Sequence, residues 1–138
     1  ASGANRDSVI ALGFAGTEED MTIFRDVRWD NAGEWPDWYM EIPIPDGFYT
    51  VNFYLVDGSD NRNYKFEIEG VIVEEYVHQM AFPVGEGMAP GPNIAGRYSY
   101  EIEVTDGALN IGILPHNHGD RNPILQGLEI LVNDFNVF

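Results

Sequence analysis

The chain has 138 residues, 44% hydrophobic and 13% aromatic, enough for one folded domain with a real core and against disorder. Its 23 acidic residues outnumber 7 basic ones, for a formal net charge of −16, and Lys65 is the only lysine. Such a surface repels phosphate backbones and anionic lipid, so nucleic acid and membrane are disfavoured as partners, and no apolar run approaches the ~20 residues a membrane helix needs.

Ser8 to Phe14 reads as a first strand. Ala15 to Asp37 lacks sustained periodicity and mixes tryptophan with carboxylates, so it reads as a long excursion with a short strand near Thr22–Arg25. Long loops in compact domains are usually functional. From Trp38 to Ile44 the pattern alternates, with Trp38, Met40, Ile42 and Ile44 on one face and Tyr39 and Glu41 on the other. Pro43 suits an edge or a strand end, because it has no N–H for a ladder. Pro45-Asp46-Gly47 is a turn leading into Phe48–Val56, whose aromatic and β-branched residues predict a central strand. A polar loop, Asp57 to Arg62, follows. Asn63–Glu69 and Val71–Val77 are strands about a turn at Gly70, and His78–Gly96, rich in proline and glycine, is loop.

The last third is organised around Tyr98 to Val132. Tyr98, Tyr100, Ile102 and Val104 alternate with polar residues, Asp106-Gly107 suits a tight turn, and Leu109, Ile111 and Ile113 resume the alternation. This predicts a hairpin. A polar loop from Pro115 to Pro123 leads to a closing strand, Ile124–Val132. With eight or nine strands, frequent turns and no amphipathic helix, the fold class is all-β: an antiparallel β-sandwich or jelly roll. The chain opens on Ala1-Ser2-Gly3-Ala4-Asn5, which reads as a processed end, so a single domain excised from a larger protein is expected. Cysteine is absent, which leaves no disulfide and no thiolate metal site.

Three ordered stretches carry a family likeness. They are Tyr39 to Val51 around Pro45-Asp46-Gly47, Tyr64 to Val71 ending on Gly70, and Tyr100 to Ile111 with Val104-Thr105-Asp106-Gly107-Ala108-Leu109, followed by Asn122-Pro123-Ile124-Leu125-Gln126-Gly127-Leu128-Glu129-Ile130. In this order they resemble malectin-like and other galactose-binding-like carbohydrate-binding modules, over roughly Trp38 to Val132. The resemblance implies a jelly-roll sandwich that binds sugars on loops at one end and accompanies a glycan-active enzyme or a receptor. It also implies a structural calcium where the first and last strands meet, for which Glu18, Asp20 and Asp134 supply oxygen ligands. Asp120 is the counterpart of the family's carboxylate before the closing strand. The aromatic residues that malectin-like members place after the central strand are missing from Asp57–Arg62.

Sugar recognition needs a flat apolar face for pyranose C–H groups and planar polar groups for hydroxyls. The candidates are Trp29 and Trp35 from the excursion, Asp60, Asn61 and Arg62 from the second loop, and His116, Asn117, His118, Asp120 and Arg121 from the last. Each has a plainer role: tryptophan as packing, arginine paired with nearby aspartate, histidine as loop polarity. His116-Asn117-His118 would ligate a metal if it lay on a strand, as in cupins, but Asn122-Pro123 stands where a cupin needs its glutamate. No nucleophile elbow, phosphate loop or H-E-x-x-H motif occurs.

The expectation is therefore a secreted, non-catalytic carbohydrate-binding module, monomeric within a multidomain enzyme, with a polysaccharide or oligosaccharide as partner. Two alternatives stand beside it. One is a small metal-dependent β-sandwich enzyme, cupin-like or a lyase, using His116 and His118. The other is a calcium-stabilised structural or adhesion domain.

Overall fold

A computed structural model describes residues 2–5, 26–29, 38–58, 63–85, 87–115 and 124–133. They form ten strands: β1 Ser2–Asn5, β2 Asp26–Trp29, β3 Trp38–Pro43, β4 Gly47–Leu55, β5 Asn63–Ile68, β6 Val71–His78, β7 Gly96–Val104, β8 Ala108–Pro115, β9 Ile124–Leu125 and β10 Gly127–Val132. A 3₁₀ turn, Gln79–Ala81, follows β6. All pairings are antiparallel, in a four-stranded sheet β3-β8-β5-β6, a three-stranded sheet β10-β4-β7 and a small sheet β1-β2-β9. No helix among the described residues is long and apolar enough to cross a membrane.

Alternation decides which faces meet. Tyr49, Val51, Phe53 and Leu55 of β4 are buried, as are Tyr64, Phe66 and Ile68 of β5 and Leu109, Ile111 and Ile113 of β8. The two larger sheets meet at Phe53 and Phe66, whose rings stack with centroids 4.1 Å apart and 10° between planes. Tyr64 and Tyr98 meet Phe66 edge-on. The central strand is β4, as its composition predicts, and Pro43 ends β3 on a sheet edge, where its missing N–H leaves no ladder bond unmade.

The predicted hairpin at Asp106-Gly107 is overturned. Strand β7 pairs with β4, while β8 pairs with β3 and β5, so the turn carries the chain from one sheet to the other. Both strands present apolar rows to one core, and facing sheets bury both rows where a hairpin would place them side by side. The turn before β4 crosses between sheets beside it. Ile44 N–H donates to Gly107 O (3.1 Å) and Gly107 N–H to Asp46 Oδ1 (2.7 Å). Strands β5 and β6 do form a hairpin, through Glu69 and Gly70, both at positive φ (53° and 78°) as a tight two-residue turn requires.

Other differences are local. The closing strand is broken at Gln126 into β9 and β10. Trp29, expected in a loop, ends β2 opposite Ile124 and Ser2. The short strand anticipated at Thr22–Arg25 and the strand Ser8–Phe14 lie outside the described residues.

At the open edge between β6 and β7, the Tyr100 hydroxyl donates to Glu74 Oε2 (3.2 Å), tying the sheets together. Burial raises the pKa of both Tyr98 and Tyr100, and the Glu74 carboxylate raises them further. A phenol harder to ionise in the folded than the unfolded chain contributes stability that is complete below the unfolded pKa of about 10 and is lost as pH rises from there through the raised folded pKa. Urea unfolding between about pH 9 and 12 should show a steep loss of stability that Tyr98→Phe and Tyr100→Phe flatten. An identical profile in those variants would show that the two phenols do not drive it.

Candidate functional site

The strand ends collect the candidate loops. Trp38 pairs with Ile113, Tyr64 with Pro115 and Asn63 with His78, so β3 begins, β8 ends, β5 begins and β6 ends at one end of the four-stranded sheet. In the facing sheet Leu55 pairs with Gly96, and Tyr54 with Gly127. The connections 30–37, 56–62, 79–95 and 116–123 therefore all spring from this end.

Two glutamine side chains, Gln79 buried and Gln126 half-buried, brace the stems beneath these connections. Gln126, at the break between β9 and β10, makes a reciprocal pair with Val56: Val56 N–H donates to Gln126 Oε1 (2.9 Å), and Gln126 Nε2 donates to Val56 O (2.7 Å). That pair ties the stem of 56–62 to the stem of 116–123. Gln79 does the same toward 79–95. Its Oε1 accepts from the Asp57 N–H, and its Nε2 donates to Gly91 O (2.6 Å) and Ile94 O (2.9 Å). Gln79 and Asp57 are each 1% exposed, so these bonds form away from water. Asn93 N–H adds a bond to Asp57 O (2.8 Å). A loop held at its stem loses less entropy on binding.

On the outer face of the three-stranded sheet, next to the same end, runs a polar row. Asn52 Nδ2 and the Tyr54 hydroxyl both donate to Glu129 Oε1, at 2.8 and 2.9 Å. Ser99 Oγ donates to Asn52 Oδ1. Burial raises the Tyr54 pKa, and the bond to Glu129 raises it further, while Arg97 on the facing strand opposes part of the rise. These groups largely satisfy one another, so the row stiffens β4, β7 and β10 under the loops. The sequence expectation of a central strand at Phe48–Val56, resting on its aromatic and β-branched residues, did not separate the strand's two faces. The signal was present as Thr50, Asn52 and Tyr54, which alternate on one face.

Of the sequence-predicted site residues, Trp29 is placed by its backbone alone, at the end of β2. Trp35, Asp60, Asn61, Arg62, His116, Asn117, His118, Asp120 and Arg121 lie outside the described residues, as do the calcium candidates Glu18, Asp20 and Asp134. For Trp35, the 60–62 residues and the 116–121 residues, the structure supplies the shared end from which their connections spring; for the calcium candidates it supplies nothing. Among the described residues no group of three or more His, Asp or Glu side chains is placed to hold a metal.

No protein-family model and no curated protein matches the sequence. Solved structures do. A β-glucuronidase 2 from Bacteroides uniformis aligns over 96% of this chain at 16% identity and a TM-score of 0.67. The plant receptor-like kinase FER aligns over 97% at 13% identity and a TM-score of 0.68. The fold is shared. The ANXUR1 extracellular domain from Arabidopsis thaliana aligns similarly, over 96% at 12% identity with a TM-score of 0.65. The chain spans 13% of the glucuronidase chain, 40% of the FER chain and 38% of the ANXUR1 chain, so it matches only part of each.

Proposed function

We propose that this domain is a non-catalytic carbohydrate-binding module, secreted, that tethers a polysaccharide-active enzyme to its glycan. The observation that carries this function is the braced end, where Gln79 and Gln126 tie the stems of 56–62, 79–95 and 116–123 and where β3 begins after 30–37. Those connections hold Trp35, Asp60, Asn61, Arg62, His116, Asn117, His118, Asp120 and Arg121, with Trp29 at the end of β2, the mix of aromatic and planar polar groups that sugars require. A shared fold inside a β-glucuronidase chain agrees with a module joined to a glycan-active enzyme. Calcium held by Glu18, Asp20 and Asp134 belongs to the same proposal.

The test is a glycan array followed by titration calorimetry, run in calcium and in chelator. A bound polysaccharide should lose about tenfold in affinity in Asp120→Ala and in Trp35→Ala, with melting temperatures unchanged. Chelator should lower the melting temperature of all forms. An array without ligands, or variants that bind like the parent, would remove the loop end as the sugar site.

A further inference from the structure

Two irregularities in the β5–β6 ladder turn a carboxylate inward. Tyr64 pairs with Val77, Phe66 with Glu74 and Glu67 with Ile72, so β6 carries an extra residue on each side of Glu74. Opposed residues share a face, and Phe66 is fully buried, so half-buried Glu74 points to the core side of an edge strand. Bulges and an inward charge guard such an edge against pairing with another chain. That accounts for the charge but not for the groups that meet it.

Tyr98 and Tyr100 of β7 line the facing edge, with ring planes 7° apart and centroids 6.5 Å apart. The Tyr100 hydroxyl donates to Glu74 Oε2. Tyr98 is 7% exposed; among the described residues its hydroxyl has no hydrogen-bond partner, yet its oxygen is not sealed from solvent. No basic side chain among the described residues pairs with Glu74. A carboxylate without a counter-charge, a phenol oxygen that can accept and aromatic rings beside them suit an organic cation with N–H donors. A metal ion needs more oxygen ligands than one carboxylate supplies. The crevice borders the braced end. Tyr98 meets Phe82 of connection 79–95 edge-on (5.9 Å, 82°), and Gly96, two residues before it, pairs with Leu55 at that end. A chain of net charge −16 also draws cationic polymers toward it.

We propose, resting on the carbohydrate-binding function above, that Glu74, Tyr98 and Tyr100 form a crevice for the ammonium group of an amino sugar, in a glycan that also occupies the braced end. The ammonium donates to Glu74 and to the Tyr98 oxygen. N-acetylation removes its charge, so the acetylated glycan does not engage the carboxylate.

Titration calorimetry with a glucosamine tetramer, its N-acetylated counterpart and spermidine tests this on the parent, Glu74→Gln, Glu75→Gln and Tyr98→Phe. Glu75, exposed on the same strand, is the matched loss of one charge. Glu74→Gln should weaken the glucosamine tetramer about tenfold, and Glu75→Gln less than about twofold. Tyr98→Phe should weaken it about fivefold at an unchanged melting temperature, because the hydroxyl it removes bonds to nothing in the protein. The acetylated tetramer should not distinguish Glu74→Gln from the parent. Equal losses for Glu74→Gln and Glu75→Gln would reduce the effect to net charge and overturn the crevice. Spermidine binding that depends on Glu74, with none for the tetramer, would assign the crevice to linear amines and overturn the amino sugar. If other glycans bind on the array and the glucosamine tetramer binds no better than its acetylated form, the crevice is wrong and the loop-end function stands. No binding of any glycan removes both the amino-sugar site and the function beneath it.

Discussion

Phe66→Ala should lower the unfolding free energy by about 3–5 kcal/mol, the largest loss from any single side chain considered. Phe66 is fully buried, at 0% exposure, and its ring stacks on Phe53 across the two main sheets. Removing it takes away the transfer energy of a whole aromatic ring. It also opens a cavity that cannot collapse, because Tyr64 and Tyr98 pack edge-on against the same ring from strands with partners of their own. Domains of this size are stable by only about 5–15 kcal/mol, so the loss is a large share of the whole. Phe66→Leu keeps much of the volume and should cost less. Urea unfolding measures both variants, and a cycle with Phe53→Leu isolates the stacked pair, with an expected coupling of about 0.5–1.5 kcal/mol. A loss below about 1.5 kcal/mol for Phe66→Ala would mean that the sheets are joined elsewhere.

The residues that join the sheets were legible in the sequence, because alternation is a local signal. Leu109, Ile111 and Ile113 alternate along β8 and are all buried, and the same rule placed Tyr39 and Glu41 outside. Strand partners were not legible. Asp106-Gly107 makes a tight turn in either topology, and whether β8 folds back on β7 or crosses to β3 and β5 depends on residues far away in the chain. The braces of the candidate site were hidden for the same reason. Gln126 reaches Val56 across 70 residues and Gln79 reaches Asp57 across 22, and nothing in either glutamine's sequence neighbours marks the distant backbone groups it meets. The stretches that hold the candidate sugar contacts stand out by composition. That the strand ends on either side of them share one end was only an expectation until the strand registers were in hand.

Gln79→Leu should cost about 3 kcal/mol, although it swaps a buried side chain for one of similar size. Volume is kept, but the bonds are lost. The Asp57 N–H loses its acceptor and the Ile94 carbonyl loses its donor, both beside a side chain that is 1% exposed. The Gly91 carbonyl fares better, since it also accepts from Ile94 N–H at 3.2 Å. Leaving a buried polar group without a partner costs about 1–3 kcal/mol, and two are left. The loss should be concentrated at one end. Amide hydrogen exchange should quicken at Asp57, Asn93 and Ile94 more than at Ile44 or Gly107 at the far end, because opening there does not require the core to unfold. If the braced end binds glycan, folded Gln79→Leu should also bind more weakly at a temperature well below its melting point, through a faster off-rate from loops that are no longer held. Equal exchange acceleration at both ends would assign Gln79 to global stability alone. Unchanged glycan affinity alongside loosened stems would show that the loops do not depend on the brace.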